Sequence, residues 1–443
     1  MVRTRFAPSP TGYLHVGGLR TAAYAYALAK HTGGEFLLRI EDTDQKREIP
    51  GATQKIYDLL QVFGLKWDGQ PVVQSKRVKD GVYQSVAETM VERGRAFYCQ
   101  CEAKNAKKEG YSNVLRDPCR DKDLPNGAIK IKIPDNLSIS YNDFVLDKDI
   151  IWDSSTIGDA TLLKSDGFPT YHLAAMVDDK LMGTTHILRG HDWMPSTPIH
   201  LLVLKSIDYD REVKIGHLTD IQDTSGGKLS KRKGNASVDD FLNMGYLQEA
   251  LFNFIILLGW APKDNKELFT LEEFVRIFDV NGFQKSNPVF NTQKLDWFNG
   301  HYIRQKTDTE LTHLVKPFVK LKMSNEKITQ ILPLVKERLT KLSDFDSLTA
   351  FFVAPPSLTR DLWPDPSQAS AHLNFAQSNI DHIQQPEFID QIKSNTWKVG
   401  DFFMSLRIAI CGSKFTPPIS EVIAILGKPE SLSRINTALK ALS

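Results

Sequence analysis

Between Arg3 and Arg20 the chain reads Arg-Thr-Arg-Phe-Ala-Pro-Ser-Pro-Thr-Gly-Tyr-Leu-His-Val-Gly-Gly-Leu-Arg, and no other stretch restricts the possible folds as much. A strand-like run ends at Ala7. Pro8 and Pro10 then exclude a helix interior, because proline lacks the N–H and its ring clashes with the preceding turn. From 19 to 29 the residues are good helix formers with apolar positions at helical spacing, so a helix follows. The spacing predicts a strand-to-helix junction in which Gly12, Gly17 and Gly18 let a ligand approach the backbone. The N–H groups at the start of that helix suit phosphate oxygens, and His15 is placed to donate to a polyphosphate. Taken alone, the stretch fits neither Gly-x-Gly-x-x-Gly nor the lysine-bearing phosphate loop.

A second stretch removes the ambiguity: Ser225-Gly226-Gly227-Lys228-Leu229-Ser230-Lys231-Arg232-Lys233-Gly234. Together, His15-Val16-Gly17-Gly18 and Lys228-Leu229-Ser230-Lys231-Arg232 resemble the paired signatures of class I aminoacyl-tRNA synthetases, abbreviated HIGH and KMSKS. The wording Ala7-Pro8-Ser9-Pro10-Thr11-Gly12 and Arg39-Ile40-Glu41-Asp42-Thr43-Asp44 is similar to the bacterial-type glutamyl-tRNA synthetases in particular. The resemblance runs almost continuously from residue 1 to about residue 304.

At 443 residues the chain is too long for one core and suggests two to four domains. The longest apolar run, 251–260 interrupted by Asn253, is too short to span a bilayer, and no charged-then-apolar leader opens the chain. The expectation is a cytoplasmic protein, or an organellar one whose leader is not shown, with no membrane partner. Lysine and arginine number 55 against 53 acids, so a nucleic acid would be held by local patches and not by overall charge. Such patches lie at 104–108, at 228–233 and at Lys316, Lys320 and Lys322; a solvated face is the plain alternative for the first and last.

Strand and helix alternate at the start: 2–6 strand, 35–40 buried strand, 51–63 helix, a βαβ pattern with a parallel sheet. Ligands bind at the carboxyl ends of such strands, where Arg5, Ser9, Glu41 and Arg47 fall, so one pocket could collect them. From about 74 to 188 the alternation breaks, with a helix at 82–95 and short strands at 128–133, 150–153 and 161–164. Helices are expected at 238–244, 247–258, 271–278 and 292–303, then through 311–321, 327–341, 368–375, 388–393, 399–411, 419–426 and 432–442. Pro355-Pro356 and Pro364-Asp365-Pro366 punctuate the last series.

Four cysteines are too few for a disulfide framework in a chain of this size, but three of them cluster. Cys99-x-Cys101, followed by Cys119 after seventeen residues, offers three thiolates to one zinc ion. Many bacterial-type glutamyl-tRNA synthetases carry such a site, often with tyrosine or histidine as fourth ligand. Here the spacing between Tyr111 and Cys119 departs from that pattern, leaving the fourth ligand open among Tyr111, Asp121 and Asp123.

The resemblance implies a class I α/β fold: a doubly wound, Rossmann-type parallel sheet with an inserted α+β domain for the tRNA acceptor end, then all-α C-terminal domains. The corresponding segments are 1–75 and 189–235 for the catalytic halves, 76–188 for the insertion, 236–305 for a helical stem-contact domain and 306–443 for anticodon binding. It implies a ligase that activates L-glutamate with ATP and Mg2+ and transfers it to the 2′-hydroxyl of the terminal adenosine of glutamate tRNA, with monomer as the family default. His15, Lys228 and Lys231 would be catalytic; Pro8, Thr11, Gly17, Gly18, Trp193, Leu229 and Ser230 would join them around ATP. Arg5, Ala7, Ser9, Glu41, Tyr171 and Arg189 match the positions that hold glutamate, with the two arginines set against its two carboxylates. Asp44, Arg47 and Arg338 would meet tRNA. Gly226 and Gly227 would make the lysine loop mobile. Ala175 stands where many members have asparagine, and His191 is unusual in Gly190-His191-Asp192-Trp193. Three rival readings are a form that also glutamylates glutamine tRNA, the shorter relative that modifies a tRNA base, and a silent tRNA-binding paralogue. The chain continuing past Arg304 argues against the second, and His15, Lys228 and Lys231 against the third.

Overall fold

The computed structural model describes residues 1–101, 115–229 and 237–443. Tyr111, Ser230, Lys231, Arg232, Lys233 and the lysines of 104–108 lie outside the described residues. The chain divides into two compact units, Met1–Phe241 with Leu251–Thr292 and Leu242–Ala250 with Gln293–Ser443.

The first unit is built on parallel strands. β1 (Arg3–Phe6) pairs in parallel with β2 (Glu35–Ile40), and β2 with the short β3 (Val72–Val73). Beyond the opposite edge of β1 lies β9 (His186–Gly190), where Thr185 N donates to Arg3 O at 2.9 Å and Arg3 N donates to Thr185 Oγ1 at 2.8 Å. β9 pairs in parallel with β10 (Lys214–Leu218) over five residue pairs. The chain thus leaves β1 in one direction to β2 and returns 180 residues later on the other side. A crevice opens at the carboxyl ends of strands where the order reverses in this way.

Helix α1 (Val16–His31) crosses this sheet, and Leu19, Ala22, Ala23, Tyr24, Ala25 and Ala27 are fully buried. Alanine on several sides lets it lie close to β1, and two polar groups it buries find the same acceptor: Tyr24 Oη donates to Leu258 O at 2.9 Å, and Arg20 Nη1 to that carbonyl at 2.9 Å. The turn from α1 into β2 needs glycine at 34, where an added Cβ would stand 2.1 Å from Val2 O.

The span 76–188 contributes to two sheets. β4 (Ala96–Cys99), β5 (Ala128–Ile131) and β8 (Thr161–Leu163) form a separate antiparallel sheet. β6 (Ser138–Asp143) pairs with β7 (Lys148–Asp153) and, through Asp143 opposite Ile215, joins the edge of β10. The crossing is tight: a Cβ at Gly216 would meet Val145 Cγ2 at 2.5 Å.

Helix Tyr171–Met182 carries Asp178 and Asp179 in an apolar run, and both are fully buried. Asp179 Oδ1 accepts from Arg39 Nη1 at 2.7 Å and Arg5 Nε at 3.0 Å. Burial alone would raise its carboxyl, but Arg39 and Arg5 hold it below the ordinary range. Asp178 accepts from Gln74 Nε2 at 2.8 Å, from Tyr83 Oη at 3.0 Å and from Arg77, fastening the helices Gln74–Lys79 and Val82–Glu92 to the sheet.

The second unit, among the described residues, is helical throughout. Its core gathers Phe375, Phe388, Trp397 and Phe402, with ring centroids 5.6 to 6.2 Å apart in the pairs Phe388–Phe402, Phe375–Phe402 and Trp397–Phe402. Helix Val399–Cys411 and helix Ile419–Leu426 have the bounds expected from periodicity. Pro366 opens helix Pro366–Ser378 behind the N-cap Asp365, whose side chain accepts from Gln368 N at 2.9 Å. Asn299 is fully buried and accepts from Leu247 N at 2.8 Å while donating to Thr340 O at 2.5 Å. Lys316, Lys320 and Lys322 are exposed.

Removing one partner from a buried charge network leaves the others uncompensated. Asp178→Ala should therefore destabilise the first unit by roughly 3–5 kcal/mol, read as a lower urea midpoint, and Asp178→Asn should lose less. An unchanged midpoint in the alanine variant would mean that Gln74, Tyr83 and Arg77 find other acceptors.

Candidate active site

A cavity of about 340 Å³ opens at the carboxyl ends of β1, β2, β9 and β10. Each strand delivers residues to it: Ala7 and Ser9 after β1, Glu41 after β2, Arg189 and Gly190 at the end of β9, Thr219 and Asp220 after β10. His15, Gly17 and Gly18 come from the start of α1, Tyr171 from the helix it begins, and Trp193, Lys228 and Leu229 complete the wall. Sequence spacing grouped Arg47 with Arg5, Ser9 and Glu41, but Arg47 is off the cavity, with its side chain 72% exposed and 3.6 Å from Asp44. The loop carries it outward beyond Ile49, which is tied back by Ile49 N to Pro10 O at 2.9 Å. Pro8 and Thr11 do not line the cavity; Pro8 O instead accepts from Glu41 N at 2.9 Å, setting the height of Glu41. His191 is exposed and does not line it either, whereas Asp192 does.

His15 is the N-cap of α1. Its backbone is extended, at φ −83° and ψ 152°, and Nδ1 accepts from Gly17 N at 3.1 Å. With Nδ1 an acceptor, a neutral ring carries its proton on Nε2. The Gly-Gly pair keeps the first turn of α1 bare beside the cavity, the arrangement that favours anions.

The acidic and basic groups are held from behind. Arg5 is 3% exposed and Arg189 5%, both with side chains fixed by several partners. Arg5 is braced by Asp179 and by Leu188 O at 3.3 Å. Glu41 Oε1 accepts from Arg39 Nε at 3.2 Å and Nη2 at 3.1 Å. Burial pushes the Glu41 carboxyl above its usual range, with Arg39 and Arg5 opposing it. Tyr171 is also pushed up, by burial, and remains a neutral donor; its ring lies 4.4 Å from that of Trp193.

Lys228 sits in a hairpin, with Leu229 N bonded to Ile221 O and Asp223 N to Gly227 O, both at 2.8 Å. The glycine at 226 occupies the left-handed region, φ +88°, so here it makes a tight turn, capped by Asp223 Oδ1 accepting from Ser225 N at 2.7 Å. The ammonium of Lys228 is met by Asp192 and, at 2.9 Å, by Asp220. Burial lowers its pKa, and those two carboxylates more than reverse the effect.

Away from the cavity, Cys99, Cys101, Asp117 and Cys119 bring ligand atoms within 4.8 Å of one another. Among the described residues the carboxylate grouped with the three thiols is that of Asp117, whereas Asp121 and Asp123 are exposed, Asp121 being paired with Lys132 at 3.1 Å. Cys119 N donates to Asp117 Oδ1 at 2.8 Å, a turn two residues long that folds the carboxylate back over the thiols. Three sulfurs and one carboxylate oxygen, compactly placed, make a donor set that fits zinc.

Several site residues had no sequence signal of their own: Asp179, Arg39, Thr197, His200 and His217 act through contacts 8 to 174 positions away. The one available hint was Asp178-Asp179 inside an apolar helical run, where buried acids require partners.

With this geometry in place, comparison with known proteins fits it on every side. The family of class I tRNA synthetases for E and Q, catalytic domain, matches residues 1–297, and an anticodon binding domain matches 310–439. The chain belongs to this class I tRNA synthetase family. Within it, the chain is 34% identical to a glutamate–tRNA ligase of Treponema denticola over 99% of each chain, and 36% identical to that of Herpetosiphon aurantiacus over 100% of this chain and 98% of the other. A crystal structure of a glutamate tRNA ligase from Elizabethkingia meningosepticum, in complex with its amino acid, covers both chains fully with a TM-score of 0.87 at 29% identity.

Proposed function

We infer that the chain is a glutamate–tRNA ligase. The observation that carries this is a single cavity offering two buried guanidiniums, Arg5 and Arg189, beside a bare helix N-terminus with His15 and Lys228. The first pair suits a dicarboxylate; the second suits a polyphosphate. The relatives described above are named for this reaction.

The α-carboxylate of glutamate attacks the α-phosphate of ATP in line, forming glutamyl adenylate and releasing pyrophosphate. The 2′-hydroxyl of the terminal adenosine then takes the glutamyl group and AMP leaves. No protein nucleophile is needed; the chain orients the reactants and stabilises charge on phosphate oxygens. His15 Nε2–H, the first turn of α1, Lys228 and Lys231 supply that stabilisation. Glu41 receives the substrate ammonium, with Ser9 and the Ala7 backbone beside it, and Tyr171 donates to a carboxylate. Trp193 offers its face to the adenine. Gly17, Gly18 and Leu229 shape the ATP side. Asp192 and Asp220 are the carboxylates on that wall that would hold a magnesium ion bound with ATP, which would supply further charge neutralisation at the phosphates.

Asp44 and Arg47, exposed beyond β2, are placed for the acceptor end of tRNA. Arg338 lines a pocket of about 380 Å³ in the second unit, donates to Thr416 O at 2.5 Å, and shares the pocket with Phe415, 86% exposed and open to base stacking. We assign these residues to tRNA contact. Among the described residues no helix is long and apolar enough to cross a membrane.

The reading is tested by ATP–pyrophosphate exchange with glutamate, with and without glutamate tRNA, alongside charging of that tRNA. Charging is expected, and Lys231→Ala should slow exchange by roughly 10²–10³-fold. Glutamate activation without charging would point instead to the base-modifying relative, and no activity to a silent paralogue.

Glu41 binds an ammonium only as a carboxylate, and its carboxyl is raised. Affinity for glutamate should therefore be full above that raised range and fall as pH drops through it, and Glu41→Gln should bind weakly with no such limb. A pH-independent KM for glutamate in the wild type would remove Glu41 from this role.

The Cys99, Cys101, Cys119 and Asp117 cluster is proposed to hold one structural zinc, which would tie β4 to the loop after residue 115. Elemental analysis of the purified protein should find one zinc per chain, and Cys119→Ser should lose it. Wild-type protein purified without chelator and free of zinc would end the proposal.

A further inference from the structure

Arg189 differs from Arg5 and Arg39 in what holds it, and shares with Arg20, which donates to the Leu258 and Thr219 carbonyls, the use of neutral acceptors. Its Nε donates to His217 Nε2 at 3.0 Å, Nη1 to His200 Nδ1 at 2.8 Å and Tyr171 Oη at 3.3 Å, and Nη2 to Thr197 Oγ1 at 2.8 Å. Every one of these acceptors is uncharged. Arg5, by contrast, is ion-paired with Asp179, and Arg39 with Glu41 and Asp179. Among the described residues Arg189 enters no ion pair at all.

A guanidinium keeps its protons, so each atom facing it must accept. That requirement fixes the tautomers around it. His217 must carry its proton on Nδ1, and Asp143 Oδ2 lies 2.6 Å from that atom. Tyr141 Oη donates to the same carboxylate oxygen at 3.2 Å. His200 must carry its proton on Nε2, which faces His172 Nδ1 at 3.2 Å. Burial first, and then Arg189, push His200 and His172 below the usual imidazole range; burial does the same for His217 against the pull of Asp143. The other oxygen of Asp143 is fixed from the backbone, accepting from Val145 N and Leu146 N at 3.1 Å each, while His217 N is shared between both oxygens at 3.2 Å.

We propose that Asp143 and His217, with Thr197 and His200, are positioning residues that hold Arg189 through neutral acceptors only, leaving its charge to be met by a substrate carboxylate. This rests on the reading that the cavity takes glutamate. Direct pairing with a protein carboxylate would satisfy the same N–H groups but cancel the field that a carboxylate ligand meets in a low-dielectric pocket. Asp143 instead compensates the charge from one imidazole ring away. It belongs to β6, which lies between β7 and β10, so that strand supports the substrate site without lining the cavity.

Asp143→Asn is isosteric and reverses the relay. Because one oxygen is fixed by the backbone donors of Val145 and Leu146, the amide nitrogen takes the other place, donates to His217 Nδ1 and drives the ring proton onto Nε2, against Arg189. Thr197→Val removes one further acceptor and leaves Asp143 alone. Each variant is measured for L-glutamate affinity by calorimetry, for glutamate and ATP KM in exchange with tRNA present, and for its unfolding midpoint. Both should weaken glutamate binding roughly ten- to a hundredfold and leave the ATP KM unchanged. His217→Ala should do the same, while His217→Gln, which keeps both an acceptor and a donor, should recover most of the affinity. A folded variant binding glutamate as the wild type does, or losing ATP and glutamate equally, overturns the proposal; if Asp143→Asn fails to fold, Thr197→Val decides it. Wild-type protein that binds no glutamate would strike the reading of the cavity, a separate failure.

Discussion

Everything at the cavity depends on where Asp179 stands. One buried carboxylate oxygen takes a hydrogen bond from Arg39 on β2 and another from Arg5 on β1, fixing two adjacent strands against the helix that begins at Tyr171. Arg39 in turn carries Glu41, so the position of the acid that faces the ligand is set two steps away from Asp179. Three charges with no access to water are tolerable only because each is matched, and the match leaves little freedom for the strand ends to move. The site is stiff on this side because of charge pairing. On the β9 side it is held by neutral hydrogen bonds instead, and the two arginines therefore present different fields to the same cavity.

The parts of the fold that could be read from the chain are those where one segment contains its own explanation. β2 spans the residues that its apolar run indicates, and α1 follows the proline-rich turn as the helix formers after residue 19 require. β9 and β10 were not legible. His186–Gly190 and Lys214–Leu218 contain histidine, arginine, lysine and glycine, which do not read as buried strand, and they are buried because their polar groups are answered by distant residues such as Asp143 and Thr197. The motif residues His15, Lys228, Arg5, Glu41, Tyr171 and Arg189 do meet in one cavity. Arg47 does not, since a residue just past a strand end is placed by its loop and not by the strand. The grouping of Asp117 with the cysteines was not legible for a related reason: a turn only two residues long brings its carboxylate near the thiols, a local geometry that ligand spacing does not report.

The ammonium of Lys228 is held by two carboxylates, so in the proposed role a phosphate would compete with them. The competition favours a ligand that brings its own counter-cation, because released carboxylates then have a partner. The hairpin that carries Lys228 is bonded to residues just after β10, so this exchange takes place beside the strand that also carries His217.

The interruption of the first unit by Leu242–Ala250 bears on how the protein is made. Arg20 and Tyr24 lie on the first helix to leave the ribosome, yet the carbonyl that receives both, Leu258, is synthesised more than two hundred residues later. β1 likewise waits for Thr185, and β2 for Asp179. A nascent chain that stops short of Asp179 therefore displays a helix with buried-type polar groups and no acceptors, and a sheet edge with no neighbour. Such long-range closure slows folding and prolongs exposure of apolar surface. For this enzyme the catalytic unit should become protected from a protease late in translation, after residue 258 and most of the interleaved segment have emerged together.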